Sequence, residues 1–512
     1  MSKKIDVVFV NPGDIKRVYQ QFADTLSAIE PPIFCRILAD FLRRKGLSVQ
    51  IIDVPAEKLT AKEAAKIVID LNPKLVAMVI YGFQPSASTH NMQSAGDICR
   101  SIKDLDPTQK IIMTGTHPAA LPERTLTEEA IDFVCTGEGP ITIWQLAEAI
   151  KSKDVDYNKV GSLCYQANGQ VLKTKNATLI DKLDKELPGT AWDLLDMSKY
   201  RSHNWHGFGD GIRTPYASIH TTLGCPYRCS FCCINTPFSG PNYIYGGPTY
   251  RFWSLDHVIK EIDFLVEQYG VRRIKIADEM FVLNPNHVLG LCERLIKRHY
   301  KDLTFFAYAR IDTLQDQFLE KLREAGIIWL GIGIESGSKH VRQGSDKKFK
   351  NEKDNMGVNE NILRTMEKVK RAGISSICNY IVGLPDDTLE TMQDTFNLAV
   401  EINSEIANFY SAMAYPGSPL YVMAEQKGYK LPSDPGGPGW IGYSQHSYET
   451  IPLPTDTVSA AEVLRFRDNA FMNYFTNPRY LEMIRNKFGE TTLSHIKEMT
   501  DHGKPRRQLL GD

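Results

Sequence analysis

Short apolar runs alternate with helical segments along most of this 512-residue chain. The first 150 residues hold five such runs, at 5–11, 49–54, 74–82, 110–115 and 131–137. The apolar residues between them recur at helical spacing. Strand–helix alternation of this kind predicts a parallel sheet with helices on both faces. We therefore expect an α/β protein whose residues 1–150 form a doubly wound, flavodoxin- or Rossmann-like domain.

The alternation stops over residues 151–210, which we interpret as a linker, and then resumes. Six further strands are predicted at 216–224, 272–281, 303–312, 329–336, 375–385 and 407–417. Six consecutive strand–helix units predict a second parallel layer over residues 211–420, open or barrel-like, with its functional face at the carboxyl ends of the strands. Residues 421–512 are expected to form a small helical cap or substrate region.

Composition limits the partners of the chain. Lysine and arginine number 60 against 61 aspartates and glutamates, so no broad field would attract nucleic acid or an anionic membrane. The sequence contains no run of about 18 apolar residues, so we expect no stable membrane insertion. We expect a cytoplasmic protein, whose thiols stay reduced and whose clustered cysteines serve metal or redox chemistry. The basic C-terminal segment "GKPRRQLLGD" is interpreted as a solvated tail.

Four of the ten cysteines lie within "HTTLGCPYRCSFCCIN", residues 220–235. Cys225, Cys229 and Cys232 form C-x3-C-x2-C directly after the first strand of the second layer. Soft thiolate ligands suit zinc or an iron–sulfur cluster. Zinc usually takes a fourth protein ligand, often from a second C-x2-C pair, and this chain has none. Three thiols therefore favour a four-iron cluster with one iron open, and Cys233 is interpreted as a packed free thiol.

The segment C-P-Y-R-C-S-F-C at a strand end resembles the radical S-adenosylmethionine (SAM) superfamily. The resemblance implies a partial (β/α)6, TIM-like barrel whose three cysteines hold a [4Fe–4S] cluster. SAM would then bind the open iron and be cleaved reductively to a 5′-deoxyadenosyl radical. An external one-electron reductant, flavodoxin- or ferredoxin-like, is implied as well. By the same resemblance, the strand-end residues that would contact SAM are Phe231, Asp278, Glu279, Arg310, Glu335, Ser336, Val382 and Gly383.

The segment "TGTHPAALPE…DFVCTGEGP" (114–140) resembles the cobalamin-binding domain that precedes the radical SAM core in one large subgroup. The Asp-x-His-x-x-Gly motif of other cobalamin proteins is absent, so cobalt is expected to lack that histidine. His117 is the nearest candidate ligand, although a structural histidine is the favoured interpretation. The domain could also be vestigial. Residues expected at the cobalamin edge are Asn11, Pro12, Gly13, Gly82, Ser86, Thr89, Gly115, Thr116, His117, Gly137, Glu138 and Gly139.

Together the two resemblances imply a cobalamin-dependent radical SAM C-methyltransferase. It would pass a methyl group from SAM, by way of methylcobalamin, to an unactivated carbon of a small-molecule or lipid substrate. A cobalamin-dependent cyclase or rearrangement enzyme, like the anaerobic porphyrin-ring cyclases, uses the same motifs. A non-catalytic iron–sulfur redox carrier or cobalamin-binding module is the alternative outside enzymes. No catalytic residue beyond these cofactor sites is assigned.

The C-terminal aromatic residues could line a substrate pocket or fill a core, and we favour the core. They are Trp440, Tyr443, Tyr448, Phe466 and Phe471.

Overall fold

The computed structural model describes residues 5–23, 27–81, 85–152, 155–239, 250–347, 349, 358–501 and 503–512. The first five strands form a parallel sheet in the order β2-β1-β3-β4-β5. This order is that of a flavodoxin-like sheet, so the predicted doubly wound domain is confirmed. The strands are β1 (Val7–Asn11), β2 (Val49–Asp53), β3 (Leu75–Ile80), β4 (Ile111–Gly115) and β5 (Phe133–Cys135).

Eight helices connect or cover these strands. Helix α4 begins with a reciprocal cap between Thr60 and Glu63, which satisfies two backbone amides of its first turn. The helices are α1 (Ile15–Tyr19), α2 (Ile33–Arg44), α3 (Val54–Glu57), α4 (Ala61–Leu71), α5 (Pro85–Leu105), α6 (Thr116–Ala120), α7 (Pro122–Glu128) and α8 (Pro140–Lys151).

The stretch expected as a linker contains a hairpin that extends the N-terminal sheet. Strands β6 (Leu163–Ala167) and β7 (Gln170–Lys173) add two antiparallel strands beside β5. Asn168 and Gly169 form the turn, both with positive φ, as a two-residue hairpin requires. This Asn-Gly signal was present in the sequence. The short helix α9 (Leu183–Glu186) follows.

The second layer is a six-stranded parallel sheet in the order β15-β14-β13-β12-β11-β8. All six predicted strands are present and confirmed. The short strands β9 (Thr222–Leu223) and β10 (Arg251–Phe252) pair separately. The strands of the large sheet are β8 (Tyr216–Ile219), β11 (Arg273–Ile276), β12 (Thr304–Arg310), β13 (Ile327–Glu335), β14 (Ser375–Val382) and β15 (Ile406–Ser411).

Helices follow each strand of this layer, and further helices complete the chain. Those of the layer are α10 (Thr236–Ser239), α11 (Leu255–Tyr269), α12 (Pro285–Arg298), α13 (Asp316–Glu324), α14 (Lys339–Gly344), α15 (Val358–Arg371) and α16 (Leu389–Ile402). The C-terminal helices are α17 (Pro419–Gln426), α18 (Ala460–Phe475) and α19 (Pro478–Asp501), the last with a non-helical Gly489.

The carboxyl edges of the two sheets lie against each other. Phe34 stacks on Tyr81 at the end of β3 with ring centroids 3.9 Å apart. It also lies 5.7 Å from the ring of His220, just beyond β8. A buried ion pair between Arg251 and Glu138 joins the layers nearby. The geometry therefore places both predicted cofactor edges at one interface.

The C-terminal region reaches back to the N-terminal domain. Trp440 and Tyr443 are buried against Met78, Met92 and Met113 of that domain, which confirms the core interpretation for these two aromatic residues. Tyr448, Phe466 and Phe471 are half-buried.

The solvated-tail interpretation of the C-terminus is wrong at Arg507. Its side chain is 0% exposed, because the guanidinium donates to both carboxylate oxygens of Asp468 and to the backbone oxygen of Ser447. Within the described residues, no helix has the length and apolar character needed to cross a bilayer.

Candidate active site

The cysteine loop follows β8 and is tied together by one asparagine. The Cys225 amide donates to Asn235 Oδ1 at 3.1 Å, and Asn235 Nδ2 donates to the Cys225 carbonyl at 2.8 Å. The Cys232 amide donates to the Cys229 carbonyl at 3.0 Å. The three motif thiols are half-buried, while Cys233 is buried and 1% exposed.

The three motif thiols suit an iron–sulfur cluster. Burial raises the pKa of the Cys225 thiol to about 12, and it also raises the pKa of Cys229. Ionised sulfurs at these positions therefore need a cationic partner. Three thiolates suit an iron–sulfur cluster in which each binds a separate iron.

Asp278, beyond the end of β11, accepts hydrogen bonds from other residues of the protein. Its carboxylate accepts from the backbone amides of Thr221 and Thr222 at 2.6 and 3.1 Å, and His220 Nδ1 lies 3.6 Å away. Burial opposes ionisation, but the contacts with His220 and Thr221 lower the pKa of Asp278. Asp278 therefore joins the ends of β8 and β11 behind the cysteine loop.

Glu279 is in the opposite situation. Its Oε2 atom is buried, and no described residue donates a hydrogen bond to it. Burial raises the pKa of Glu279, although His220 partly opposes the shift. A buried carboxylate oxygen without a donor is costly. It fits the ammonium group of an amino acid ligand, which is what the predicted role with SAM requires.

Arg310 and Lys347 are the cations near Cys229, and both oppose the rise in the pKa of its thiol that burial causes. Arg310, at the end of β12, places Nη1 at 3.8 Å from Cys229 Sγ, pairs with Asp312 at 3.0 Å and lies 4.0 Å over the ring of Tyr227. Glu335, at the end of β13, pairs with buried Lys347, and its φ of 69° is unusual for a non-glycine residue. Strain of this kind is typical of functional sites.

The remaining predicted SAM residues surround the same edge. Ser336 is fully buried, and its hydroxyl lies 3.2 Å from that of Thr395 and accepts from the Ser338 amide at 3.1 Å. Val382 is buried at the end of β14, and the Gly383 amide donates to Asp387 at 3.0 Å. Phe231 is half-buried beside Leu384 and Ala412. Their contacts with SAM stay predictions.

The predicted cobalamin edge contains an open cavity of about 210 Å³ at the carboxyl end of β5. Pro237 and Phe238 of the second layer close one side of it, so the cavity lies between the two layers. Its walls are formed by the residues 136–142, 162, 176–179, 237 and 238. Three of the predicted residues, Gly137, Glu138 and Gly139, are among them.

His117 is buried among contacts within the protein. It is 1% exposed, its Nδ1 lies 3.3 Å from Thr89 Oγ1, and its ring meets Trp440 edge-on at 4.3 Å. Burial lowers its pKa to about 3. Its Nε2 is buried without a hydrogen-bond partner among the described residues. The neutral ring therefore retains one free nitrogen at this edge.

Several other predicted cobalamin residues already have internal partners. Asn11 donates to Asp53 at 2.9 Å, and Glu138 accepts from Arg251 at 2.5 Å and from the Ile180 amide at 3.1 Å. A Cβ on Gly115 would lie 2.2 Å from the Ile80 carbonyl oxygen. Gly115 is therefore required by the packing of the sheet itself.

For the remaining residues of this set, the structure gives the position in the fold. Pro12 and Thr116 are buried, and Gly13 adjoins Pro55. Ser86 lies in the first turn of α5, and Gly82 lies outside the described residues.

Sequence reasoning missed Asn235, Arg251 and Lys347. Asn235 lies ten residues after Cys225, and its position in the quoted cysteine segment is the one available signal. Arg251 pairs with a residue 113 positions away, and Lys347 pairs with Glu335, 12 positions away. Neither pairing has a sequence signature.

Family models match both halves of the molecule. Residues 219–399 match the radical SAM superfamily, and residues 22–147 match the B12 binding domain. The chain belongs to the radical SAM superfamily and carries an N-terminal B12-binding domain. Both predicted resemblances are thereby confirmed, and the cysteine loop and the cavity near β5 lie within or beside the matched segments.

Relatives extend over most of this radical SAM protein. An uncharacterised methyltransferase of Pyrococcus horikoshii is 29% identical, covering 77% of this chain and 78% of the relative. The anaerobic magnesium-protoporphyrin IX monomethyl ester cyclase of Rubrivivax gelatinosus is 24% identical over 93% of this chain and 78% of its own. The hopanoid C-2 methylase of Rhodopseudomonas palustris is 26% identical over 66% of this chain and 56% of its own.

Two solved structures share the fold. TsrM from Kitasatospora setae, a radical SAM methyltransferase solved with cobalamin and a [4Fe–4S] cluster, superposes with a TM-score of 0.65 at 18% identity, covering 92% of this chain and 89% of that one. The cobalamin-dependent radical SAM enzyme OxsB gives 0.67 at 17% identity, covering 98% and 73%. These likenesses concern the fold, and they confirm the predicted order of its domains.

Proposed function

We propose that this protein is a cobalamin-dependent radical SAM C-methyltransferase acting on an unactivated carbon. The observation that carries the proposal is the meeting of two carboxyl edges at one interface. One edge holds the C-x3-C-x2-C loop and an unpaired buried carboxylate oxygen of Glu279, and the other belongs to the B12-binding domain. When bound, a [4Fe–4S] cluster with SAM and cobalamin would supply hydrogen abstraction and a transferable methyl group.

The residues of the chain then have separate tasks. Cys225, Cys229 and Cys232 would hold the cluster, and Asn235 keeps their loop in shape. Glu279 would accept from the amino group of SAM. Arg310, close to Cys229 Sγ, adds positive charge beside the thiolates and would stabilise them.

The relatives support methyl transfer most broadly. Proteins named as methyltransferases or methylases recur among them, with different substrates. The cyclase alternative also has support, since a cyclase relative covers 93% of this chain. The non-catalytic carrier is disfavoured, because a carrier has no use for the empty acceptor at Glu279.

One anaerobic experiment separates the three candidates. The full chain, reconstituted with iron, sulfide and cobalamin, is incubated with reductant, candidate substrates and SAM labelled in its methyl group. A methyltransferase releases 5′-deoxyadenosine and moves the label into product. A cyclase releases 5′-deoxyadenosine and leaves its product unlabelled, whereas a carrier releases none.

A further inference from the structure

A buried histidine lies where the ends of β8 and β11 meet. Ile219, the last residue of β8, pairs with Ile276, the last residue of β11, in parallel register. His220 follows Ile219 directly, so it lies beside the segment that carries Asp278 and Glu279. Its side chain is only 5% exposed. One imidazole is therefore enclosed with two carboxyl groups.

The hydrogen bonds at these strand ends leave the histidine out. Asp278 accepts from the backbone amides of Thr221 and Thr222 and from the Thr221 hydroxyl. His220 Nδ1 lies 3.6 Å from Asp278 Oδ1, which is beyond hydrogen-bond length. Among the described residues, His220 Nδ1 and Glu279 Oε2 are both buried without a hydrogen-bond partner. A possible donor and a possible acceptor thus remain unused side by side.

The histidine and the acids favour each other's charged forms. Burial lowers the pKa of His220, but the contact with Asp278 and the charge of Glu279 outweigh burial and raise it. Burial raises the pKa of Glu279, and His220 opposes that shift. A histidine enclosed with two carboxylates is an imidazolium, with protons on both ring nitrogens.

The N-terminal domain covers this histidine without changing the local charge. The ring of Phe34 on α2 lies 5.7 Å from the ring of His220. Arg36 of the same helix opposes the rise in the pKa of His220. However, Arg36 pairs with Glu261 of α11 at 2.8 Å, so this ion pair contributes no net charge.

The groups on the other side of the histidine are neutral. His287 of α12 places Nε2 at 2.8 Å from Thr221 Oγ1, and burial lowers its pKa. The Tyr250 hydroxyl donates to a backbone carbonyl at 2.9 Å, and burial raises its pKa. His220 and the two acids therefore carry one net negative charge together.

We propose that His220 is a positioning residue, which keeps Glu279 ionised and leaves these strand ends with the single negative charge that one ammonium group neutralises. The inference rests on the proposed function, in which Glu279 accepts from the amino group of SAM. Without a cation at His220, two carboxylates would share one buried site. Glu279 would then take up a proton instead of binding the ammonium group. His220 thus acts on SAM only through Glu279.

A double-mutant cycle tests this dependence. His220→Asn keeps a hydrogen-bond donor near the position of Nδ1 and removes the charge. We expect the Kd for SAM to rise about tenfold in the otherwise unchanged chain, as a rise of one unit in the pKa of Glu279 would cause. In the Glu279→Gln chain, His220→Asn should change the Kd little, because no carboxylate remains to be kept ionised. A purely structural effect would weaken both chains equally. Isothermal titration of the iron-loaded full chain at neutral pH measures all four affinities.

The controls separate this inference from the proposed function. His299→Asn, at the exposed C-terminal end of α12, is the matched control and should leave the Kd unchanged. Iron content per chain shows loading, and His220→Gln replaces His220→Asn if that variant loads no iron. An unchanged Kd, equal losses in both backgrounds, or loss of iron from both variants overturns the role of His220. The proposed function then stands, provided that the unsubstituted chain binds SAM. An unsubstituted chain that binds no SAM contradicts the proposed function, and the role of His220 is rejected with it.

Discussion

Two adjacent acids at the end of β11 have opposite surroundings. Asp278 accepts hydrogen bonds from Thr221 and Thr222 and has a lowered pKa, whereas Glu279 has a buried oxygen without a donor and a raised pKa. A sequence pattern treats the two alike. The structure separates a structural acid from one that is free to bind a ligand.

Glu279→Gln removes the charge of this free acceptor with little change in shape. We expect the Kd for SAM to rise at least about tenfold, because a hydrogen bond to a charged group is lost. Isothermal titration of the iron-loaded protein measures it. Glu320→Gln, on the exposed face of α13, is the control. Equal affinity in the two variants would show that Glu279 does not bind SAM.

The cysteine assignment predicts different outcomes for neighbouring thiols. Cys229→Ala should abolish the roughly four irons per chain expected of a cubane cluster. Cys233→Ala should retain them, because that thiol is packed in the core. Iron analysis after anaerobic reconstitution decides the matter. Iron that persists in Cys229→Ala refutes the ligand assignment, and iron lost from Cys233→Ala makes Cys233 a ligand.

At the scale of elements, the strands of both sheets could be predicted because buried parallel strands are short apolar runs between helices. The hairpin β6–β7 was missed, although Asn168-Gly169 is a strong turn signal. Because its strands mix polar and apolar residues, as in "QVLK", the segment resembles a linker. Contacts such as Arg251 with Glu138 or Lys275 with Glu30 arise from tertiary packing alone. For this reason the cluster ligands were predictable, and these ion pairs between the layers were not.

Arg507→Ala tests the anchoring of the C-terminal segment. The variant leaves Asp468 buried with one cationic partner fewer. We expect the free energy of unfolding to fall by about 3–5 kcal/mol. Urea denaturation measures the change, and Arg506→Ala, an exposed neighbour, should shift it by less than about 0.5 kcal/mol. Similar losses in the two variants would contradict the buried role of Arg507.

Gly115→Ala tests the end of β4, at the predicted cobalamin edge. A Cβ there meets the Ile80 carbonyl oxygen at 2.2 Å, and φ is 139°. We expect the free energy of unfolding to fall by about 3 kcal/mol. Gly46 also has a positive φ, but a Cβ there meets nothing within 4 Å, so Gly46→Ala should cost only about 1–2 kcal/mol. Equal costs would mean that the contact with Ile80 relaxes freely.

At the scale of the molecule, buried ion pairs hold the layers in register. Arg36 pairs with Glu261 at 2.8 Å, and Glu30 and Glu138 pair with Lys275 and Arg251. Each pair joins the N-terminal domain to the second layer. These pairs join the two cofactor edges at one interface.

If the B12-binding domain is functional, the purified chain should retain added hydroxocobalamin through gel filtration. The cavity near β5 and the free Nε2 of His117 are consistent with a ligand at this edge. Absorbance of the protein peak at the wavelengths of cobalamin measures retention. Elution of all cobalamin with the small molecules would support the vestigial interpretation.

The proposed chemistry depends on three cysteines that hold a cluster whose remaining iron binds SAM. Its most direct test is the electron paramagnetic resonance spectrum of the anaerobically reconstituted and reduced full chain, recorded before and after SAM is added. We expect a [4Fe–4S] signal that shifts on SAM addition. A spectrum that SAM leaves unchanged, or a protein that binds zinc and gives no cluster signal, would contradict it.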